Sequence, residues 1–196
     1  MTTDPYCWLH LAGLASVVFP AYWFASALKL KTVKQREARD ARLVQVAFTA
    51  VAYALVFNDA FGRGWLGTRF LPASDATAKI GFALAVVGVA FAIWARWHLG
   101  ENWSGTVTLK EGHELIRSGP YRFIRHPIYT GMLIAFAGTV VALGEERGLI
   151  SLAIALLSFY LKAKKEERFL SQEFGESFRE HARRTGMFLP SFGGHW

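Results

Sequence analysis

GHELIRSGPYRFIRHPIYTG, residues 112–131, decides how this chain is read. Arg117, Arg122, Arg125 and His126 crowd a turn-rich loop that runs directly into an apolar helix. A membrane segment has such neighbours where something anionic or polar must be held beside it. The stretch is therefore read as the rim of a cofactor site. Pro127 suits the first helical position and disfavours helical geometry for the residue before it, so His126 is expected in an extended conformation at a helix N-terminus. Free backbone N–H groups and the positive end of the helix dipole suit a carboxylate or phosphate there. The plainer alternative is that His126 only caps a membrane helix.

Working outward, the composition sets the class. The chain has 196 residues, 53% of them hydrophobic, and a mean hydropathy of +0.23. That is too apolar for an ordinary soluble domain and fits a small, all-α, multi-span membrane protein. Trp8, Tyr22, Trp23, Trp65, Trp94, Trp97, Trp103 and Tyr160 lie mostly near the ends of apolar runs, where amphipathic rings sit at headgroup level. The net charge of +7 collects in loops rather than on one basic face, so no nucleic-acid partner is expected. A single cysteine, Cys7, excludes an internal disulfide and a cysteine metal cluster. His98, His113 and His181 lack metal-ligand spacing, and no metal is expected.

Five membrane helices are predicted. They cover residues 8–28 with a kink at Pro20, 43–57, 78–97, 127–143, and a fifth run starting near Leu149. The first is 21 uncharged residues after Asp4, long enough to remain as a span rather than be cleaved as a signal peptide. Gly81, Gly88 and Ala92 offer small surfaces for close helix contact. Residues 62–74 read as an external loop, and 144–148, GEERG, as a tight turn that pairs the last two helices. The fifth run has only 14 uncharged residues, 148–161. These cover ~21 Å of a ~30 Å apolar core, so Lys162 and the start of KKEER fall at or inside the membrane boundary. Beyond it the helix is expected to reach Phe174, stop at Gly175 and restart as a short amphipathic helix with Phe178 on one side. One membrane domain, 1–196, is expected, with three helices in 1–97 and a core in 98–196.

Residues 29–42, 96–127 and 162–196 together hold 18 Lys and Arg, whereas 58–79 and 144–148 hold 4. The positive-inside rule then puts the N-terminus outside and brings the long loop and the C-terminal tail together on the cytoplasmic side. Lys162 and Glu166 lie four apart on one helical face at that boundary, beside Glu167. Such a Glu can bind a cation and such a Lys an anion; alternatively they form an ordinary i, i+4 pair on a solvated helix. Gly119-Pro120-Tyr121 is a turn signal, and Arg122 and Arg125 can also be read as headgroup anchors.

The paired elements RHPIYTG and KKEERFLSQEFGESFREHARRTGMFLP, about forty residues apart, resemble the isoprenylcysteine carboxyl methyltransferase family and its prokaryotic relatives, grouped with the phospholipid methyltransferases. The resemblance spans roughly residues 100–190. It implies an integral membrane enzyme that uses S-adenosylmethionine, enclosed in a cytoplasmic pocket between the loop and the C-terminal tail. Carried over by position, the donor contacts are His113, Glu114, Leu115, Ile116, Tyr121, His126, Pro127, Ile128, Tyr129 and Glu166. Lys162 stands where the family has an arginine near the acceptor carboxylate, keeping the charge but losing the bidentate fork.

The implied reaction is an in-line displacement at a sulfonium methyl, for which the protein mainly aligns the reactants and excludes water. Lys162 or Arg125 would place an anionic acceptor, and Glu167 or His126 would serve as base if the acceptor were an amine. A lipophilic carboxylate such as isoprenylcysteine leads, with a phospholipid amine or a small thiol as alternatives. A nicotinamide-dependent membrane reductase and a non-catalytic scaffold are the rivals outside this class. Membrane lipids are the surrounding partners, and the Ala- and Gly-rich helices point to a prokaryotic inner membrane.

Overall fold

The computed structural model describes residues 11–14, 39–100 and 115–191. The first predicted span therefore falls outside the described residues except at 11–14, which are helical, and His113, Glu114 and Trp103 fall outside them altogether. Five further helices follow: α1 (Arg39–Phe57), α2 (Asp75–Leu99), α3 (Pro127–Leu143), α4 (Glu146–Phe174) and α5 (Glu176–Arg184). Among the described residues extended pairing is limited to two isolated bridges, Arg69 with Glu145 and Ile124 with Gly186.

Local chemistry sets most boundaries. Ser74 caps α2, its hydroxyl accepting from the Thr77 N–H at 3.1 Å, and Asp75 pairs with Lys79 one turn on. Pro127 opens α3, and Gly144, at φ 67°, closes it. Gly175, at φ 53°, separates α4 from α5, whose Phe178 is buried as its spacing predicts. The predicted loop at 62–74 contains a 3₁₀ turn, Gly64–Gly67, before Phe70 and Leu71 hydrogen-bond to the Gly144 carbonyl. α4 begins at Glu146, so the turn after α3 is shorter than GEERG suggests.

α2 and α3 form an antiparallel pair built on small residues. Gly81, Ala85, Gly88 and Ala92 meet Ala142, Gly138, Ala135 and Gly131 in register. A Cβ at Gly88 would stand 2.3 Å from the Ala135 backbone nitrogen, and one at Gly138 would stand 2.4 Å from that of Ala85. The backbones can approach this closely only without side chains between them. Ala12, from the described part of the first predicted span, packs against Ala85 and Ala142. A second apolar cluster joins Ala52 and Val56 of α1 to Phe136 and Val140 of α3 and Ala155 of α4.

α2 is 25 residues long, long and apolar enough to cross a membrane, and Ile80, Val86 and Val87 on it are exposed. It is the one helix among the described residues that meets this length and composition; the apolar stretches Leu43–Phe57 and Pro127–Leu143 are shorter.

At the α3–α4 turn, Arg147 is almost wholly buried. Its Nε donates to Glu145 at 2.7 Å, and its Nη1 donates to the Leu55 and Asn58 carbonyls at 3.3 and 2.9 Å, closing the C-terminal end of α1.

Candidate functional site

The loop before α3 is held by the tail after α5. Arg125 and His126 donate their backbone N–H groups to the Gly186 and Met187 carbonyls at 2.9 and 3.1 Å, and Gly186 returns a bond to the Phe123 carbonyl at 3.1 Å. Thr130 adds a side-chain bond to the Phe188 carbonyl at 2.8 Å. Two polar segments far apart in sequence thus become one wall. His126 is not extended as the sequence suggested: it sits at φ −122°, ψ 60°, because its N–H is tied to Met187 and its carbonyl accepts from the Thr130 N–H and hydroxyl.

α4 supplies the opposite wall. Lys162, Glu166 and Glu167 lie just beyond its apolar half, and α3 brings Tyr129 against them. The Tyr129 hydroxyl donates to Glu166 Oε1, and Lys162 Nζ stands 5.3 Å from the centre of the Tyr129 ring. His126 lies between the two acids: Nδ1 is 3.4 Å from Glu166 Oε2, and Nε2 is 3.4 Å from Glu167 Oε1. The second contact is an ion-pair approach without hydrogen-bond alignment, which leaves the buried Nε2 without a hydrogen bond. Arg125 Nε donates to Glu167 at 2.7 Å, while its Nη1 donates to the Ala182 carbonyl at 3.0 Å and to that of Thr185.

The electrostatics follow from these contacts. Burial disfavours a charged His126, but the attraction of the Glu166 and Glu167 carboxylates on either side outweighs it, and the imidazole pKa rises above 6.5. Burial likewise works against a charged Glu166, and His126, Lys162 and Tyr129 overcome it, so its pKa falls below the ordinary carboxylate value. Glu167, opposed by burial and favoured by His126 and Arg125, falls to about 2. Nearby, His181 goes the other way: burial, and then the charges of Arg117 and Arg125, lower it to about 4.

The structure thus brings together Arg125, His126, Tyr129, Lys162, Glu166 and Glu167. Pro127 and Ile128 are buried in the first turn of α3, which no side chain caps by a hydrogen bond. Tyr121 is buried against α2, its hydroxyl donating to the Ala95 carbonyl at 3.4 Å. Leu115 and Ile116 are half-buried at the edge of the described segment. Sequence reasoning passed over Phe159, whose ring stacks on Tyr129 at 5.1 Å, and Phe188, which meets His126 edge-on at 6.2 Å. Phe159 lies on the same helical face as Ala163 and Glu166, at spacings of four and seven, which was the available signal.

Known proteins share sequence with this chain over more than half of its length. A probable protein-S-isoprenylcysteine O-methyltransferase of Oryza sativa is 31% identical over 114 residues, which is 57% of this chain and 60% of that protein. The cobalt-zinc-cadmium resistance protein CzcN of Cupriavidus metallidurans is 32% identical over 149 residues, 74% of this chain and 61% of that protein. The chain thus spans about 60% of the length of these curated relatives. The solved structure of a eukaryotic intramembrane Ras methyltransferase, isoprenylcysteine carboxyl methyltransferase, overlays with a TM-score of 0.49 at 20% identity, covering 83% of this chain and 56% of that one. The sequence profile of the phospholipid methyltransferase family matches residues 76–177, which take in α2, α3 and the acidic turn of α4, and the chain belongs to that family.

Proposed function

We propose that the chain is an S-adenosylmethionine-dependent membrane methyltransferase whose acceptor is a lipophilic carboxylate. The observation that carries the choice of acceptor is the Lys162 ammonium, a cation set beside the Tyr129–Glu166 pair, where an anionic acceptor can be placed, and the charge state of the cluster agrees with it. His126 is drawn toward imidazolium, Glu166 toward carboxylate, and Glu167 is fixed by Arg125 and lowered to about 2. Glu167 is held as a carboxylate by Arg125 and is not a free base, which an amine acceptor would require. A carboxylate is already nucleophilic and needs no base. The relative named as an isoprenylcysteine O-methyltransferase favours the same acceptor class, whereas the family's own description names phospholipids.

The residues fit the donor. Its cationic part matches the Glu166 carboxylate, and its carboxylate matches the uncapped first turn of α3. The buried Nε2 of His126 has hydrogen-bonding capacity to spend. S-adenosylmethionine, when bound, supplies a methyl group on a sulfonium. Tyr129, held between His126 and Phe159, orients Glu166 through its hydroxyl. Lys162, over the Tyr129 ring, is the group that attracts the acceptor carboxylate toward the donor. Arg125 and Glu167 act as positioning residues, because the guanidinium is occupied in fastening α4 to the tail. The wall of loop and tail excludes water from the transfer.

The reading also takes the chain as five membrane helices with the N-terminus outside and the site on the cytoplasmic side, as the distribution of Lys and Arg supports. It is tested by supplying radiolabelled S-adenosylmethionine with either a prenylated cysteine carboxylate or phosphatidylethanolamine. Base-labile methyl ester formed from the first supports the reading; methylation of the lipid amine alone would replace it with the phospholipid alternative.

A further inference from the structure

α4 carries chemistry on a second face. A cavity of about 190 Å3 lies between α4 and the beginning of α1, away from the helical face that bears Phe159, Ala163, Glu166 and Glu167. Val44, Phe48 and Leu161 supply its apolar wall, and Lys162, Lys164, Lys165 and Arg168 bring four cationic side chains to it. Lys164 also lies 4.0 Å from Glu167. The order along the helix matters: an apolar stretch ends at Leu161 and the cations follow within two turns. That gradient matches an amphiphile with an anionic head and an apolar tail. Ser158 adds an independent mark. It lines the same cavity and is 2% exposed, yet its Oγ makes no hydrogen bond among the described residues. A buried hydroxyl left unpaired is costly, and a ligand acceptor would relieve the cost.

We propose that this cavity binds an anionic phospholipid, with its phosphate at Lys164, Lys165 and Arg168, an ester carbonyl accepting from Ser158 Oγ, and an acyl chain along Val44 and Phe48. The apolar wall favours a lipid over a soluble anion, and the helical positions of Lys164, Lys165 and Arg168, on the side of α4 away from Glu166, favour a resident lipid over the methyl acceptor. The inference goes beyond the methyl-transfer reading; the two sites share Lys162, which edges the cavity and also stands over the Tyr129 ring.

The test uses the detergent-purified full chain with phosphatidylglycerol, phosphatidylcholine or inorganic phosphate, read by native mass spectrometry and thermal unfolding. Phosphatidylglycerol should be retained and should raise Tm with concentration, as any ligand selective for the folded state does. Lys165→Gln with Arg168→Gln should weaken its retention roughly thirtyfold, the loss expected for two basic residues at an anionic headgroup. Ser158→Leu, which narrows the cavity while leaving those charges, should also lower retention. Equal retention of the two lipids by the unaltered chain would overturn the proposal without recourse to variants. So would unchanged phosphatidylglycerol retention in both variants, or a Tm rise from inorganic phosphate equal to that from the lipid.

Discussion

Arg125 and Glu167, 42 residues apart, are joined by a 2.7 Å charge-assisted bond in which both side chains are only 14% exposed. The same guanidinium reaches two carbonyls at the end of α5, so one side chain fixes the acidic turn of α4 against loop and tail. Removing one partner leaves a largely buried charge. Arg125→Ala is expected to destabilise the protein by ~3 kcal/mol. Arg125→Lys should keep part of that stability but weaken donor binding through lost alignment. Unfolding in detergent with parallel donor titrations checks both outcomes.

The two buried histidines near the tail are expected to titrate in opposite directions. His126 has a raised pKa, so its contribution to stability is complete below about 6.5 and is lost as pH rises through the folded value. His181 is lowered to about 4, so its contribution is present above about 6.5 and is lost as pH falls through 4. Glu167, lowered to about 2, contributes above about 4.5 and loses that contribution on acidification through 2. Nitrogen NMR of the imidazoles at pH 5 should find His126 charged and His181 neutral. Glu167→Gln should lower the His126 pKa.

The contact between α2 and α3 should tolerate almost no added volume. Gly88→Ala places a methyl group against the Ala135 backbone, which cannot swing aside as a side chain can, and overpacking of ~1–3 kcal/mol is expected. Val86→Ala, on the exposed side of α2, should change the melting temperature little. A melting series in detergent separates the two.

Arg147 offers a test that separates stability from the site. It closes the end of α1 by bonds to Leu55 and Asn58 and pairs with Glu145, all beside the α3–α4 turn rather than the acidic cluster. Arg147→Ala should cost ~3 kcal/mol of stability while leaving donor affinity in the folded fraction unchanged. Donor calorimetry on that fraction checks the second half.

The apolar runs and the turn chemistry made much of the fold legible. Residues 127–143 were bounded correctly because Pro127 and Gly144 punctuate them, and Gly175 marked the end of α4 for the same reason. Gly81, Gly88 and Ala92 were recognisable as a contact face, but their partners Gly131, Ala135, Gly138 and Ala142 were not, since pairing in register depends on how two helices meet. In the site, the individual groups stood out by charge beside apolar sequence. Their arrangement did not: the partition of His126 between Glu166 and Glu167 depends on the turn of α4, and the Arg125 clamp on carbonyls that have no sequence signature. Arg147 escaped notice because a lone arginine in GEERG looks solvated.

We expect donor recognition by His126 and Glu166 to be visible in calorimetric titration of the detergent-purified chain with S-adenosylmethionine, with NADPH as control. Saturable binding of the methyl donor alone is predicted, abolished in His126→Ala and in Glu166→Ala while both variants stay folded by circular dichroism. Binding of NADPH instead, or undiminished donor binding in both variants, would refute donor recognition at these two residues.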